Sequence, residues 1–125
     1  MIERFLEGAV RGFLHRPERP SGEALALTHG AGSNCQAPLL VAVALEFEAA
    51  GIAVLRCDLP FRHAKPSGPP SPGGSAADRE GLRAACEALR RTGATRIYLG
   101  GHSYGGRQAS MLAAADPSAA AALLL

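Results

Sequence analysis

RIYLGGHSYGG, residues 96–106, decides how this chain folds. An apolar run ends in glycines around a serine, and helix-favouring residues follow. Gly101-His102-Ser103-Tyr104-Gly105 is a G-x-S-x-G pattern placed between a predicted strand and a predicted helix, the setting of a nucleophile elbow. The turn is so sharp that the positions two before and two after the serine must be nearly free of side chain. Gly101 and Gly105 meet that demand, and Gly106 allows close approach of the helix. Ser103 is thereby pushed outward at a helix N-terminus, where the dipole and free N–H groups favour developing negative charge, as attack on a carbonyl requires. The competing reading is a glycine-rich turn with a serine cap.

Working outward, ALALTH (residues 24–29) is a continuous apolar run that stops at a glycine-rich loop, as a strand buried on both faces does. Ser33 with Gln36 fits a capping box and Pro38 a first helical turn, and Leu39, Leu40, Val43, Ala44 and Phe47 give one apolar face before Gly51. IAVLRCD (52–58) is a second buried strand, and LPFRHAKPSGPPSPGG (59–74) has too much Pro and Gly for regular structure. Ser75 with Asp78 offers another capping box, and Leu82, Ala85, Cys86 and Leu89 keep helical spacing until Gly93. A helix from Tyr104 to Asp116 ends at Pro117, and AAALLL reads as a fourth buried strand. Ahead of all this, residues 9–15 read as a peripheral strand followed by the turn-like RPERPSG. The alternation predicts an α/β fold, a mostly parallel sheet with helices on both faces, over residues 20–125, with 1–19 as a peripheral strand region.

Acyl transfer also needs two backbone N–H groups for the tetrahedral intermediate, each worth about a hundred- to thousandfold in rate. Tyr104, just after the serine, should supply one. The other should be Ala31, because His29-Gly30-Ala31-Gly32 is an HGxG-type loop after an earlier strand. His29 reads as a residue that holds this loop and His102 as a lining of the pocket, and both are carried as binding-site residues. Arg62 follows the second strand on the side where ligands bind in open α/β sheets; it is either a contact for a substrate anion or a solvated loop arginine. His15 and His63 read as solvated, and Cys35 as packed or capping.

With 47% apolar and 19% charged residues the chain is not of a disordered class, and no apolar run approaches a membrane span. A net charge of +2 without a basic stripe argues against nucleic acid and for a small or uncharged partner, which the serine motif makes a small-molecule acyl substrate. Three scattered cysteines give neither a disulfide framework nor metal-ligand spacing, and the N-terminus lacks the features of a signal peptide. A reducing cytoplasm, with no metal, no cofactor and no membrane partner, is the expectation.

LTHGAG, VLRCDLPFR and GGHSYGGRQASML together resemble the α/β-hydrolase superfamily, and within it small dienelactone-hydrolase-like bacterial proteins. That branch is similar to the hydrolase-like domain of a non-specific-lethal complex subunit and to a testis-expressed protein. The resemblance covers residues 20 to 125 and implies Ser103 as nucleophile, with the amides of Ala31 and Tyr104 as oxyanion hole. In this superfamily the acid and the histidine follow the serine, yet no histidine follows Ser103 and the only later acid, Asp116, reads as a helix stop. The expectation is a serine hydrolase acting on an ester, thioester or lactone, of which this chain is an N-terminal fragment with little activity of its own. A non-catalytic scaffold that binds other proteins is the alternative. Dinucleotide binding through Gly30-Ala31-Gly32 and Asp58 is a third, weaker pattern.

Overall fold

The computed structural model describes residues 1–124. Its core is a six-stranded sheet in the order β1-β2-β4-β3-β5-β6. The strands are β1 (Ile2–Glu7), β2 (Val10–His15), β3 (Glu23–Thr28), β4 (Ala53–Cys57), β5 (Arg96–Gly101) and β6 (Ala122–Leu124). The last four run parallel, while β1 and β2 form an antiparallel hairpin joined to β4. The mostly parallel α/β sheet is therefore as expected, with an antiparallel edge added.

Alternation along β3 shows why its sequence is apolar throughout. Ala24 and Ala26 face a layer of Leu82, Ala85, Cys86, Leu89, Ala109 and Leu112, whereas Leu25 and Leu27 face Leu40, Ala44 and Val54. The first layer comes from α3 (Ser75–Arg91) and α4 (Tyr104–Ala115), the second from α1 (Pro38–Ala49) with its neighbouring strand β4. Small residues on one face let two helices approach; leucines on the other fill the space beside a single helix. Each fully buried leucine contributes about 1.5–3 kcal/mol, so these two layers hold the helices against the sheet.

Several local expectations are corrected. A first strand, β1, was not anticipated. It pairs with β2 across a two-residue Gly8-Ala9 turn, in which Gly8 has φ 58°. The 59–74 stretch is not wholly irregular, because Pro60 starts a short helix, α2 (Pro60–Ala64). Neither capping box forms. The N-cap of α1 is Ala37 and that of α3 is Gly74, both without a side-chain cap. Instead the Gln36 N–H donates to Asn34 Oδ1 at 2.8 Å, a turn closed by a side chain before Pro38 begins the helix. On α1 only Leu40 and Ala44 are buried, and Leu39 lies exposed.

The parallel register sets Thr28 beside Cys57 on one side and Gly101 on the other. The three chain segments that leave β3, β4 and β5 thus emerge together at the carboxyl edge of the sheet, where open α/β sheets bind ligands.

Candidate active site

Ser103 has φ 54° and ψ −114° and is the one non-glycine residue with positive φ among the described residues. Such a conformation costs about 1–3 kcal/mol and persists only when its surroundings impose it. They do so here through three hydrogen bonds: His102 N–H to Thr28 O at 3.1 Å, Gly105 N–H to His102 O at 3.1 Å, and Arg107 N–H to Ser103 O at 2.9 Å. Close packing does the rest. A Cβ on Gly101 would stand 2.5 Å from Gly105 C, and one on Gly105 would stand 2.4 Å from His29 O. Ser103 occupies the N-cap position of α4 yet makes no side-chain cap hydrogen bond, and it is exposed. This geometry argues against the serine-capped turn, in which the hydroxyl would be spent on the helix.

The loop after β3 lies directly against this turn, since a Cβ on Gly30 would be 3.6 Å from Ser103 Cβ and from His102 Nδ1. His29 is fully buried. The Leu59 N–H donates to its Nε2 at 3.0 Å, so Nδ1 carries the proton and donates to Gly30 O at 2.8 Å. Both ring nitrogens are taken by backbone groups, and burial lowers the pKa, which keeps the ring neutral. His29 thus holds the loop, as expected of it from the sequence, and as a binding-site residue it has no free ring nitrogen. The Gly30 carbonyl also accepts from the Ser33 N–H at 3.2 Å. In a trans peptide the N–H points opposite the C=O, so the Ala31 N–H faces away from the buried imidazole. Among the described residues neither the Ala31 nor the Tyr104 N–H meets an acceptor. His102 is exposed over Gly30.

Arg62 is neither solvated nor free for a substrate anion: it is 4% exposed, and its guanidinium donates to Ser33 O, Lys65 O, Ala31 O and Gly68 O at 2.8–2.9 Å. The reason is visible only in three dimensions, because α2 carries it under the loop after β3. Asp78, read from sequence as a cap, is instead fully buried. Its Oδ1 accepts from the Phe61 N–H at 3.1 Å and its Oδ2 from the Tyr104 hydroxyl at 2.6 Å. Burial and this carboxylate together push the Tyr104 phenol up to about 12, so it remains a donor. Phe61 meets both His29 and Tyr104 edge to face, at 5.6 and 5.7 Å between ring centres. A crevice of about 200 Å³ opens beside Phe61 and Asp78, lined also by Pro60 and Ala77.

The other titratable residues lie away from the serine's hydroxyl. His15, expected to be solvated, is fully buried: Arg56 Nε–H donates to its Nε2 and its Nδ1–H to Glu48 Oε1, both at 2.8 Å. His63 is half-buried and donates from Nε2 to Asp58 O at 3.1 Å. Cys35 is buried, with its thiol pushed up to about 12 by burial and by Asp58. Asp58 accepts from the Cys35 N–H at 2.8 Å, so it is turned onto its own chain rather than outward to a ribose. Helix α1 also starts at Pro38, six residues after Gly32, which leaves the glycine loop without the helix start that dinucleotide binding uses. Asp116 pairs with Arg83 and accepts from the Ser118 N–H at 3.1 Å. It lies at the far end of α4, about 20 Å along the helix from Ser103. No group of three or more His, Cys, Asp or Glu side chains suited to a metal occurs among the described residues.

A strained, uncapped serine set against a glycine loop at the carboxyl edge of a parallel sheet agrees with the family comparison. The profile of the alpha/beta hydrolase domain family matches residues 21–125. The chain belongs to that family. Solved structures of alpha/beta hydrolases superpose on nearly all of it. Est1E from Butyrivibrio proteoclasticus, determined with ferulic acid bound, is 22% identical with a TM-score of 0.77, over 97% of this chain and 50% of its own. A dienelactone hydrolase from Anabaena variabilis is 21% identical with a TM-score of 0.72, over 94% and 60%. An alpha-beta serine hydrolase homologue from Coxiella burnetii is 15% identical with a TM-score of 0.72, over 93% and 58%. At these identities the likeness is one of fold. The chain spans 50–60% of the length of these three hydrolases. No curated protein matches it.

Proposed function

We propose that Ser103 is the nucleophile of a serine hydrolase that cleaves a carboxylic ester, thioester or lactone. The observation that carries this is the backbone of Ser103, held at positive φ with its hydroxyl exposed and uncapped at the start of α4. Attack of Oγ on the substrate carbonyl forms a tetrahedral adduct whose oxyanion is received by the N–H groups of Ala31 and Tyr104; loss of the alcohol, thiol or lactone oxygen leaves an acyl-enzyme for water to hydrolyse. His29 orients the Ala31 peptide from behind, and the exposed His102 lines the entrance.

The serine's proton must pass to a base. His15, His29 and His63 are committed to Glu48, Gly30 and Asp58 respectively, and His102 directly precedes the serine. The reading therefore places the base and its orienting acid outside residues 1–125. The same commitment of histidines favours the second reading, a hydrolase-like scaffold that binds protein. Hydrolysis of p-nitrophenyl acetate by the full-length protein separates the two. The hydrolase reading expects turnover that falls at least a hundredfold in Ser103→Ala without loss of folding. Turnover equal in both proteins, or none in either, favours the scaffold. The location expected is a reducing compartment, in keeping with three free, buried cysteines.

A further inference from the structure

The Asp58–Arg62 stretch, DLPFR, ends in a buried arginine that the hydrolytic steps above do not use. Its surroundings contain no carboxylate bonded to the guanidinium; all four of its hydrogen bonds go to backbone carbonyls. Two of these, Ala31 O and Ser33 O, belong to the loop after β3, and two, Lys65 O and Gly68 O, to the segment after α2. The guanidinium also lies 4.6 Å over the Phe61 ring, which packs on His29 and Tyr104.

We propose that Arg62 is the positioning residue of the oxyanion loop: it clamps Ala31–Ser33 to the segment after α2 and so keeps the Ala31 N–H turned to Ser103. Gly30 and Gly32 flank Ala31, and neither has a side chain to restrict the backbone; a Cβ on Gly32 would meet nothing within 4 Å. His29 and the Ser33 N–H secure the peptide upstream of Ala31 through Gly30 O. Downstream, Arg62 secures the Ala31–Gly32 and Ser33–Asn34 peptides through Ala31 O and Ser33 O, and beyond them Asp58 accepts from the Cys35 N–H. A guanidinium suits the task because its planar fork presents five N–H donors in fixed directions, whereas an ammonium is a point charge that cannot span four carbonyls on two segments. The clamp also joins the oxyanion loop to the Pro-rich segment, so a ligand that displaces residues 65–68 loosens the loop.

For its catalytic consequence the proposal rests on the hydrolase reading; the clamp itself does not. The test uses the full-length protein and its Arg62→Lys and Arg62→Ala variants, with two readouts. Amide hydrogen exchange follows Ser33 N–H, whose bond to Gly30 O closes the loop. Kinetics on p-nitrophenyl acetate separate kcat from KM. In Arg62→Lys, Ser33 exchange is expected to rise roughly tenfold or more while the amides of β3 and β5 keep their protection. In the same variant kcat falls about 10- to 100-fold with KM within about twofold, less than the roughly hundred- to thousandfold of a deleted oxyanion donor because the Ala31 N–H is loosened and not removed. Unchanged Ser33 exchange in Arg62→Lys overturns the clamp, and so does exchange that rises equally throughout β3 and β5. Raised exchange with kcat unaltered overturns the positioning role. If Arg62→Ala does not fold, Arg62→Lys alone decides. If the wild type does not turn over, the hydrolase reading falls and Ser33 exchange still judges the clamp.

Discussion

At the scale of single residues, the strain at Ser103 is maintained by what its neighbours lack. Gly105 sits so close to the end of β3 that a methyl group would stand 2.4 Å from His29 O and 2.8 Å from Thr28 Cγ2. One of those atoms is backbone bound into the site, so it cannot yield as a flexible side chain would. Gly105→Ala should therefore cost at least about 2 kcal/mol in urea unfolding. It should also misplace the serine, abolishing reaction at Ser103 before the protein is unfolded. A stability within 0.5 kcal/mol of wild type, a level typical of about ±0.5 kcal/mol surface changes, would show that the turn is looser than described. The glycines and the serine were readable in the sequence because sterics link them at fixed offsets. Arg62, Asp78 and His15 were not. Each is a polar residue with a partner far away in the chain, such as Ala31 for Arg62 and Tyr104 for Asp78, and no local pattern marks a guanidinium destined for carbonyls.

Among elements, the sheet strands were legible because their apolar runs must be buried on both faces, and the helices that cross over them follow from spacing. Strand β1 was hidden by an inverted pattern: Glu3, Phe5 and Glu7 face partly inward while Ile2 and Leu6 are exposed, with Arg16 and Arg91 pairing the two glutamates. Helix α2 was hidden in a Pro-rich stretch whose first proline, Pro60, starts it. Asp78 is the joint between α2, α3 and α4, taking the Phe61 N–H and the Tyr104 hydroxyl from the other two. Asp78→Ala leaves both donors without their acceptor, and each buried unpaired donor costs about 1–3 kcal/mol. A lowered urea midpoint, with Asp78→Asn intermediate because it keeps one acceptor, is the expected result; equal midpoints for all three proteins would remove Asp78 from the joint.

For the molecule as a whole, burial lowers the pKa of His15, His29 and His63 from the ordinary 6.5. Their signs agree. Below 6.5 the unfolded chain binds more protons at these rings than the folded one, so stability rises with pH through that window and is fully present above it. His15 adds a specific reason, since a second proton would set a cation against Arg56 and remove the acceptor of its Nε–H. Urea midpoints measured from pH 8 to pH 5 should hold level and then fall below about 6.5. A midpoint that rises on acidification contradicts this assignment of neutral, buried rings. No helix of the described residues is long and apolar enough to cross a membrane.

All three scales converge on Ser103, a residue whose placement follows from the fold and whose proposed role is that of nucleophile. Labelling of the full-length protein with a fluorophosphonate, followed by mass spectrometry of its peptides, tests that most directly. The account predicts one adduct, on the peptide carrying Ser103, and its disappearance in Ser103→Ala. A folded protein that takes up no label at Ser103, while a control esterase in the same tube is labelled, would contradict it.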